Sequence, residues 1–359
     1  MPRRLPRLLL AGAMLAPAFA QSPQLTVVPA AHATTDAPSY FWIAGASSRV
    51  RQMTLVGSSH LVALVGRSIT AIELRRSAAD EAFGGGQANL AVSLSHSPCM
   101  PLRARPAFDA NVGADAVQVF AGPVVLPHSP PQVGPVVAWS SANIVRIEFR
   151  VPFVYSGGTL CIDIVGTPIA GQAANWWMAD AAFEPTSGAM TSHGQGCGTF
   201  GGSSGAWSHA AGRHFVPGGH ARFHAYGTHG GFGFVAFGTP GQPIPLTLLG
   251  LPSPGCDVHL ASIEAILPAT FEPETVPALM AAGGRADVSL WIPDSAAMFG
   301  VGMATQWFDW QQLATSNAIH WTVAAAMPTL DMTSIDGDPS EATGHVSVHL
   351  AHVLRFEHQ

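Results

Sequence analysis

The sequence predicts an all-β chain made of two antiparallel β-sandwich domains, and three observations carry that prediction. The clear hydrophobic periodicities have period two, the repeat of a strand with one buried and one wet face. Charged residues are only 11% of the 359, against 38 glycines and 29 prolines, which favours strands joined by tight turns over surface helices. Short apolar runs recur between clusters of Gly, Pro, Asn and Ser, as they do in sandwiches.

Residues 1–20 come first. Arg3, Arg4 and Arg7 precede an apolar run from Leu8, and Ala18-Phe19-Ala20 offers a small-x-small cleavage site. That is the pattern of a secretory signal peptide. A membrane anchor needs about 20 consecutive apolar residues, and Pro17 interrupts this run. No later segment is long and apolar enough to span a bilayer. The expected location is secreted, extracellular or in the cell envelope. The formal net charge is −6, and no basic patch interleaves with aromatics, so nucleic acid is not an expected partner.

A larger, jelly-roll-like sandwich is expected over 21–228. Its strands are read in ITAIELRR (69–76), ANLAVSLSH (88–96), VQVFAGPVVLP (117–127), IVRIEFRVPFVY (144–155) and TLCIDIVGT (159–167). In 144–155, Val145, Ile147, Phe149 and Val151 share one face, and Arg146, Glu148 and Arg150 share the other. Residues 184–219, rich in Gly, Ser and His, break the rhythm and read as a long loop with a short strand near Trp207. GHARFHAYG (219–227) restores alternation. It puts His220, Arg222, His224 and Tyr226 on one face, and Ala221, Phe223 and Ala225 on the other.

A smaller, immunoglobulin-like sandwich is expected over 229–326. Its strands are FGFVAFG (232–238), IPLTLLGL (244–251), CDVHLASI (256–263), RADVSLWI (285–292), GMATQWF (302–308) and AIHWTVA (318–324). Residues 327–359 are expected to add a C-terminal hairpin. In it VSVHLAHVLRF (346–356) forms one strand, and Thr329 to Ile335 pairs with it across the DGDPSEATG turn. An even cysteine count in an exported chain suggests two disulfides among Cys99, Cys161, Cys197 and Cys256. Cys99 with Cys161 and Cys197 with Cys256 is the favoured pairing. No C-x-x-C pair suggests a zinc knuckle.

Several of these segments carry a family resemblance. They include SSRVRQM, GRSITAIELRR, FDANVGADAVQVFAGPVVLP and FRVPFVYSGGTLCIDIVG in the first half. The second half adds PGQPIPLTLLGLPSPGCDVHL, GGRADVSLWIPDSAAMFGVGMATQWF and ATSNAIHW. The chain resembles a group of secreted, planctomycete-type β-sandwich proteins of unknown function. The resemblance covers most of residues 45–325 and implies two domains, the second immunoglobulin-like. Its motifs are fold-level: turn glycines, strand cores, Gln306, and a Ser316-Asn317 step read as a turn entering the last strand. It implies no catalytic residues. The tail after Met327 and the His-rich loop depart from the group's pattern.

Several constellations invite chemistry, each with a plainer alternative. Gly201-x-Ser203-x-Gly205 has the spacing of a nucleophile elbow. An elbow needs a strand, a sharp turn and a helix, and AWSHAAG after it is too short and too rich in Ser and Gly for that helix. Ser204 fares no better. His209, His214, His220, His224 and His229 crowd one region, and imidazole is a common metal ligand. His220 and His224 lie roughly 13 Å apart on a strand, so a zinc site needs neighbours as well, and a solvated polar face is the plainer reading. His345 and His349 repeat that geometry. Asp336 and Asp338 in DGDPSE have the acidic density of a calcium loop without its spacing, and Asp-Gly and Asp-Pro also form ordinary turns.

Trp176 and Trp177 are adjacent, so on a strand one points out, where an indole face can stack on a sugar ring. Trp307 and Trp310 offer the same possibility. Core burial is the alternative, since sandwiches commonly bury a Trp. Asp163, Asp180, Glu184 and Asp287 are the carboxylates available to a glycosidase, but nothing in the sequence pairs them.

Together these observations predict a non-catalytic extracellular or cell-surface protein, structural, adhesive or weakly glycan-binding. Its expected partner is an extracellular glycan or protein. No cofactor is required, with Ca or Zn the only ones suggested. The alternative is a secreted hydrolase, with or without a metal, centred on the His-rich loop 193–229. It requires several of His193, His209, His214, His220, His224 and His229 to converge with a carboxylate.

Overall fold

The computed structural model describes residues 22–46, 48–172, 177–184, 188–200, 211–273 and 283–359. The expected signal peptide, Trp176, Ser203, Ser204, Trp207 and His209 lie outside these. No α-helix occurs among the described residues, and short 3-10 turns join the strands. Among the described residues all strand pairings are antiparallel, and no sheet closes into a barrel.

The first sandwich packs two sheets around a large apolar core. One sheet runs β1 (Gln24–Val28), β24 (Leu354–His358), β4 (Arg67–Arg75), β7 (Ile144–Tyr155). The other runs β22 (His345–Ser347), β21 (Met332–Gly337), β3 (Val50–Val56), β8 (Thr159–Pro168), β5 (Gly86–Ser97), β6 (Val117–Leu126). Between them lie Ile69, Ile72, Leu74, Val145, Ile147, Leu90, Val92, Leu94, Ile162 and Phe356. The period-two reading of β7 holds through Phe149. A register shift opposite Ile69–Ala71 then turns Val151 out to solvent. A small sheet of β2 (Ser39–Trp42), β9 (Met178–Phe183) and β23 (Leu350–His352) flanks this core.

The second sandwich packs a five-stranded sheet on a four-stranded one. The five are β10 (Ala189–His193), β20 (Ala314–Thr322), β19 (Gly302–Asp309), β13 (Phe232–Gly238) and β16 (Ala265–Thr270). The four are β11 (Ala211–Arg213), β12 (His220–Thr228), β18 (Gly283–Trp291) and β17 (Glu272–Pro273). Phe223 of β12 meets Phe237 and Trp321 across the core, edge-on to the first. A hairpin of β14 (Pro240–Pro245) and β15 (Asp257–Leu260) covers part of the other face of the five-stranded sheet.

The domain boundaries differ from the sequence expectation. The second sandwich begins at β10, so 184–219 is not simply a loop and β12 does not belong to the first unit. The tail is not an appended hairpin. β21 does pair β22 as expected, but β21 also pairs β3, and β24 lies between β1 and β4. VSVHLAHVLRF is three short strands, β22 to β24, rather than one. The second sandwich is thus an insertion between β9 and β21 of the first. Alternation along one strand identifies its faces, but its partner is set by distant sequence. That is why local reading cut the chain in the wrong places. In the same way IPLTLLGL is not a strand; it turns into the 3-10 segment Leu246–Leu249.

Cys197 and Cys256 form a disulfide across 59 residues of the second sandwich. Cys99 and Cys161 are unbonded, contrary to the expected pairing. The Cys99 Sγ points at the Ala110 carbonyl, 3.4 Å away. Cys161 sits in β8 opposite Ser95, where burial pushes its thiol up to about 12. An even count says nothing of where the Cβ vectors point.

Candidate functional site

The two sandwiches meet along the polar face of β12 and β18. Alternation puts Ala221, Phe223 and Ala225 into the core and leaves His220, Arg222 and His224 half-buried on the other side. Pairing with β18 sets His220 beside Trp291, Arg222 beside Ser289, His224 beside Asp287 and Tyr226 beside Arg285. This face looks toward the first sandwich, and two hollows lie side by side along it.

The segment His214–Gly219 fixes the seam. Val216 is buried in an apolar cluster of the first sandwich with Met53, Leu55, Val346 and Val348. The His214 ring packs 4.6 Å from that of His349 and 5.6 Å from that of His345, measured between centroids. The two connections between the units are tied by one side chain. The Glu184 carboxylate accepts from the backbone N–H groups of Thr329 and Leu330, both at 2.7 Å.

The first hollow, about 510 Å³, is lined by Arg103, Arg105, His220, Trp291, Pro293 and Asp294. Trp291 is 50% exposed, and its indole is the one large hydrophobic side chain among these residues. Arg103 donates to Asp294 at 2.8 Å, which places a paired donor and acceptor beside the ring. Burial, and then Arg105, lower the His220 pKa, so this imidazole is neutral near pH 7.

The second hollow, about 770 Å³, continues along the strands. It is lined by Arg222, Arg285, Glu272 and Asp287 on one side and by Asp336, Asp338, Glu341 and His345 of the β21–β22 hairpin on the other. Arg285 holds Asp287 with two bonds of 2.7 and 3.0 Å, and Arg222 stands 3.7 Å from the same carboxylate. The Asp338 carboxylate accepts from the Ser340 N–H and hydroxyl at 2.8 and 2.6 Å, which closes the turn and lowers its pKa.

The predicted site residues are therefore scattered. His220 lines the first hollow and His224 lies further along β12, in edge contact with Tyr226. His214 is in the seam with the tail histidines, and His229 is exposed. His193 stacks on His320 at 3.6 Å on the other sheet. No group of three or more His, Cys, Asp or Glu side chains is placed to hold a metal ion among the described residues. The zinc set His214, His220, His224 and His229 is not assembled: His220 and His224 are spread along β12, His214 packs on the tail histidines and His229 is exposed. Asp336 and Asp338 line the second hollow without forming such a group, and the Asp338 carboxylate accepts from Ser340.

Trp177 does not offer a sugar platform: it is 0% exposed, and its Nε1 donates to the Pro127 carbonyl at 3.1 Å. Trp307 is buried as well, while Trp310 is exposed on the far side of the second sandwich. The carboxylates considered for a glycosidase each have another task. Asp163 pairs with Arg51, Asp180 with buried Arg75, Glu184 ties the connections, and Asp287 is held by arginine.

Gln306 and the Ser-Asn step prove to be structural. Gln306 accepts from the His259 N–H at 2.9 Å and donates to the Asp257 and Ser316 carbonyls at 2.8 Å, pinning β15 to the sheet. Ser316 and Asn317 lie within β20 rather than in a turn before it, where Ser316 Oγ accepts from the Trp307 N–H beside a bulge.

Sequence reasoning missed Trp291, Arg103, Arg105 and Asp294. A signal for Trp291 existed: RADVSLWI alternates so that Arg285, Asp287, Ser289 and Trp291 share the wet face. The arginines carry no such signal, since they reach the groove from the first sandwich. No helix among the described residues is long and apolar enough to cross a membrane. Comparison with protein families, curated proteins and solved structures returns no match.

Proposed function

We propose that the protein is a secreted, non-catalytic binding module whose groove along β12 and β18 takes an extracellular glycan. One observation carries the reading: the half-exposed Trp291 indole lies beside Arg105 and the Arg103–Asp294 pair at the seam. A sugar ring offers an apolar C–H face to an indole, and hydroxyls to a paired donor and acceptor. The N-terminal signal pattern, one disulfide and the absence of a membrane-crossing helix among the described residues suit an extracellular setting.

The hydrolase alternative has less support. A general acid must hold a proton near neutral pH, whereas the Ser340 hydrogen bonds stabilise the Asp338 carboxylate in its charged form. A glycan array followed by calorimetry tests the reading. Trp291→Ala is expected to weaken the best ligand by about tenfold or more, with an unchanged circular dichroism spectrum. Equal binding by Trp291→Ala, or no glycan bound by the wild type, sinks it.

A further inference from the structure

The second sandwich carries another opening on the opposite side. Along β13, Phe232, Phe234 and Ala236 point away from the β12–β18 sheet, while Val235 and Phe237 point toward it. Cross-strand pairing sets Phe234 beside Phe308, and their rings stack at 4.8 Å. The β14–β15 hairpin covers this face only as far as Gln306. Beyond that point the sheet is left open, and the 3-10 segment 246–249 forms the other wall.

The result is an apolar pocket of about 230 Å³, with Phe234, Phe308, Trp310, Leu249, Ile263 and Ile266 among its lining. Trp310 is 60% exposed, Leu249 57% and Ile266 53% at its rim. Its one charged lining residue, Asp309, is itself 1% exposed and accepts from the Gln311 and Gln312 N–H groups at 3.0 and 3.1 Å. No lysine, arginine or histidine lines it. A sugar or an anion would therefore give up its water contacts here with little in exchange.

We infer that this pocket is a second binding site, for an uncharged aromatic small molecule. The size suits such a molecule. A dry apolar cavity of about 150 Å³ lined by Leu, Ile and Phe is enough to take benzene, and this one is larger. The walls argue for an aromatic ring, because Phe234, Phe308 and Trp310 offer ring faces and edges to it. Pro268 in the edge strand β16 lacks an N–H and opposes addition of a partner strand beside the pocket.

The test is fluorescence titration of the full chain with N-phenyl-1-naphthylamine, an uncharged probe. Saturable binding of one probe per chain is expected. Leu249→Arg and Ile266→Arg, both at exposed positions, are expected to weaken it about tenfold or more. Leu25→Arg, exposed on the other sandwich, leaves it unchanged. Naphthalene-1-sulfonate is expected to bind at least about tenfold more weakly than the neutral probe. The inference is overturned by unsaturable binding, by equal affinity in both arginine variants, or by equal affinity for the sulfonate. It is also overturned if sedimentation shows a dimer that Leu249→Arg dissociates, since the pocket would then be a self-interface. Trp291→Ala leaves probe binding intact, so failure of the glycan reading and failure of this one are distinguishable.

Discussion

The two sandwiches are held together by different means. The first closes on itself with its own chain ends: β1 and β24 pair, and β24 lies against β4. It also buries charge. Arg75 and Asp180 form an ion pair at 0% side-chain exposure, and Arg75 donates further to the carbonyls of His32, Thr35 and Val137. Arg76 lies over Phe83 at 3.8 Å and donates to Ser129 and Pro130. The second sandwich has no such buried ion pair among its described residues. It has a disulfide instead, a histidine cluster on one sheet and an apolar face left open. The first unit thus combines pairing of its outermost strands with an ion pair buried in its interior. The inserted second unit is covalently stapled, and its β12–β18 face lines both hollows at the seam.

The largest expected effect tests that division directly. Asp180→Ala leaves Arg75 buried without its counter-charge, which costs about 3–5 kcal/mol. Calorimetry is expected to show the first sandwich melting earlier while the transition of the second stays in place. A single transition that shifts as a whole would mean that the two units fold as one. The second sandwich has its own lever. Replacing Cys197 and Cys256 by Ser removes a 59-residue constraint and is expected to cost about 2–4 kcal/mol. The same scan reports it, and only the second transition is expected to move.

Acid sharpens the comparison further. Burial lowers the pKa of His352, in β23 of the first unit, from 6.5 to about 4. The unfolded chain therefore takes up this proton first as the pH falls. Its contribution is complete above pH 6.5 and is lost between 6.5 and about 4, amounting to up to about 3 kcal/mol. His352→Phe is expected to flatten that limb in urea unfolding measured across this range. In the second unit burial lowers the pKa of His259 and His320, and nearby His193 adds to both. Its stability falls with acid in the same sense, and His352→Phe leaves that fall unchanged. Gly194 belongs to this cluster by necessity: its φ is +69°, and a Cβ there would lie 2.2 Å from the His259 ring.

Much of the fold was legible because it is local. IVRIEFRVPFVY and FGFVAFG become strands with the bounds that their periodicity marks, and GHARFHAYG buries the face its alternation assigns. The site was only partly legible. Alternation puts His220, Arg222 and Trp291 on wet faces, but it cannot say that those two strands are neighbours or that Arg105 comes to meet them.

What the sequence determined by itself is the all-β character and the facing of side chains along strands such as β7, β12 and β13. These follow from steric preference and from hydrophobic period, which act over a few residues. The tertiary structure alone decided that Arg75 and Arg76 are core residues, that Cys99 and Cys161 stay apart, that the tail completes the first sandwich, and that Trp177 is hidden while Trp291 is not. Each depends on which distant backbone supplies the carbonyls, the partner strand or the covering wall. Those partners lie up to hundreds of positions away in the chain, beyond the reach of any local pattern.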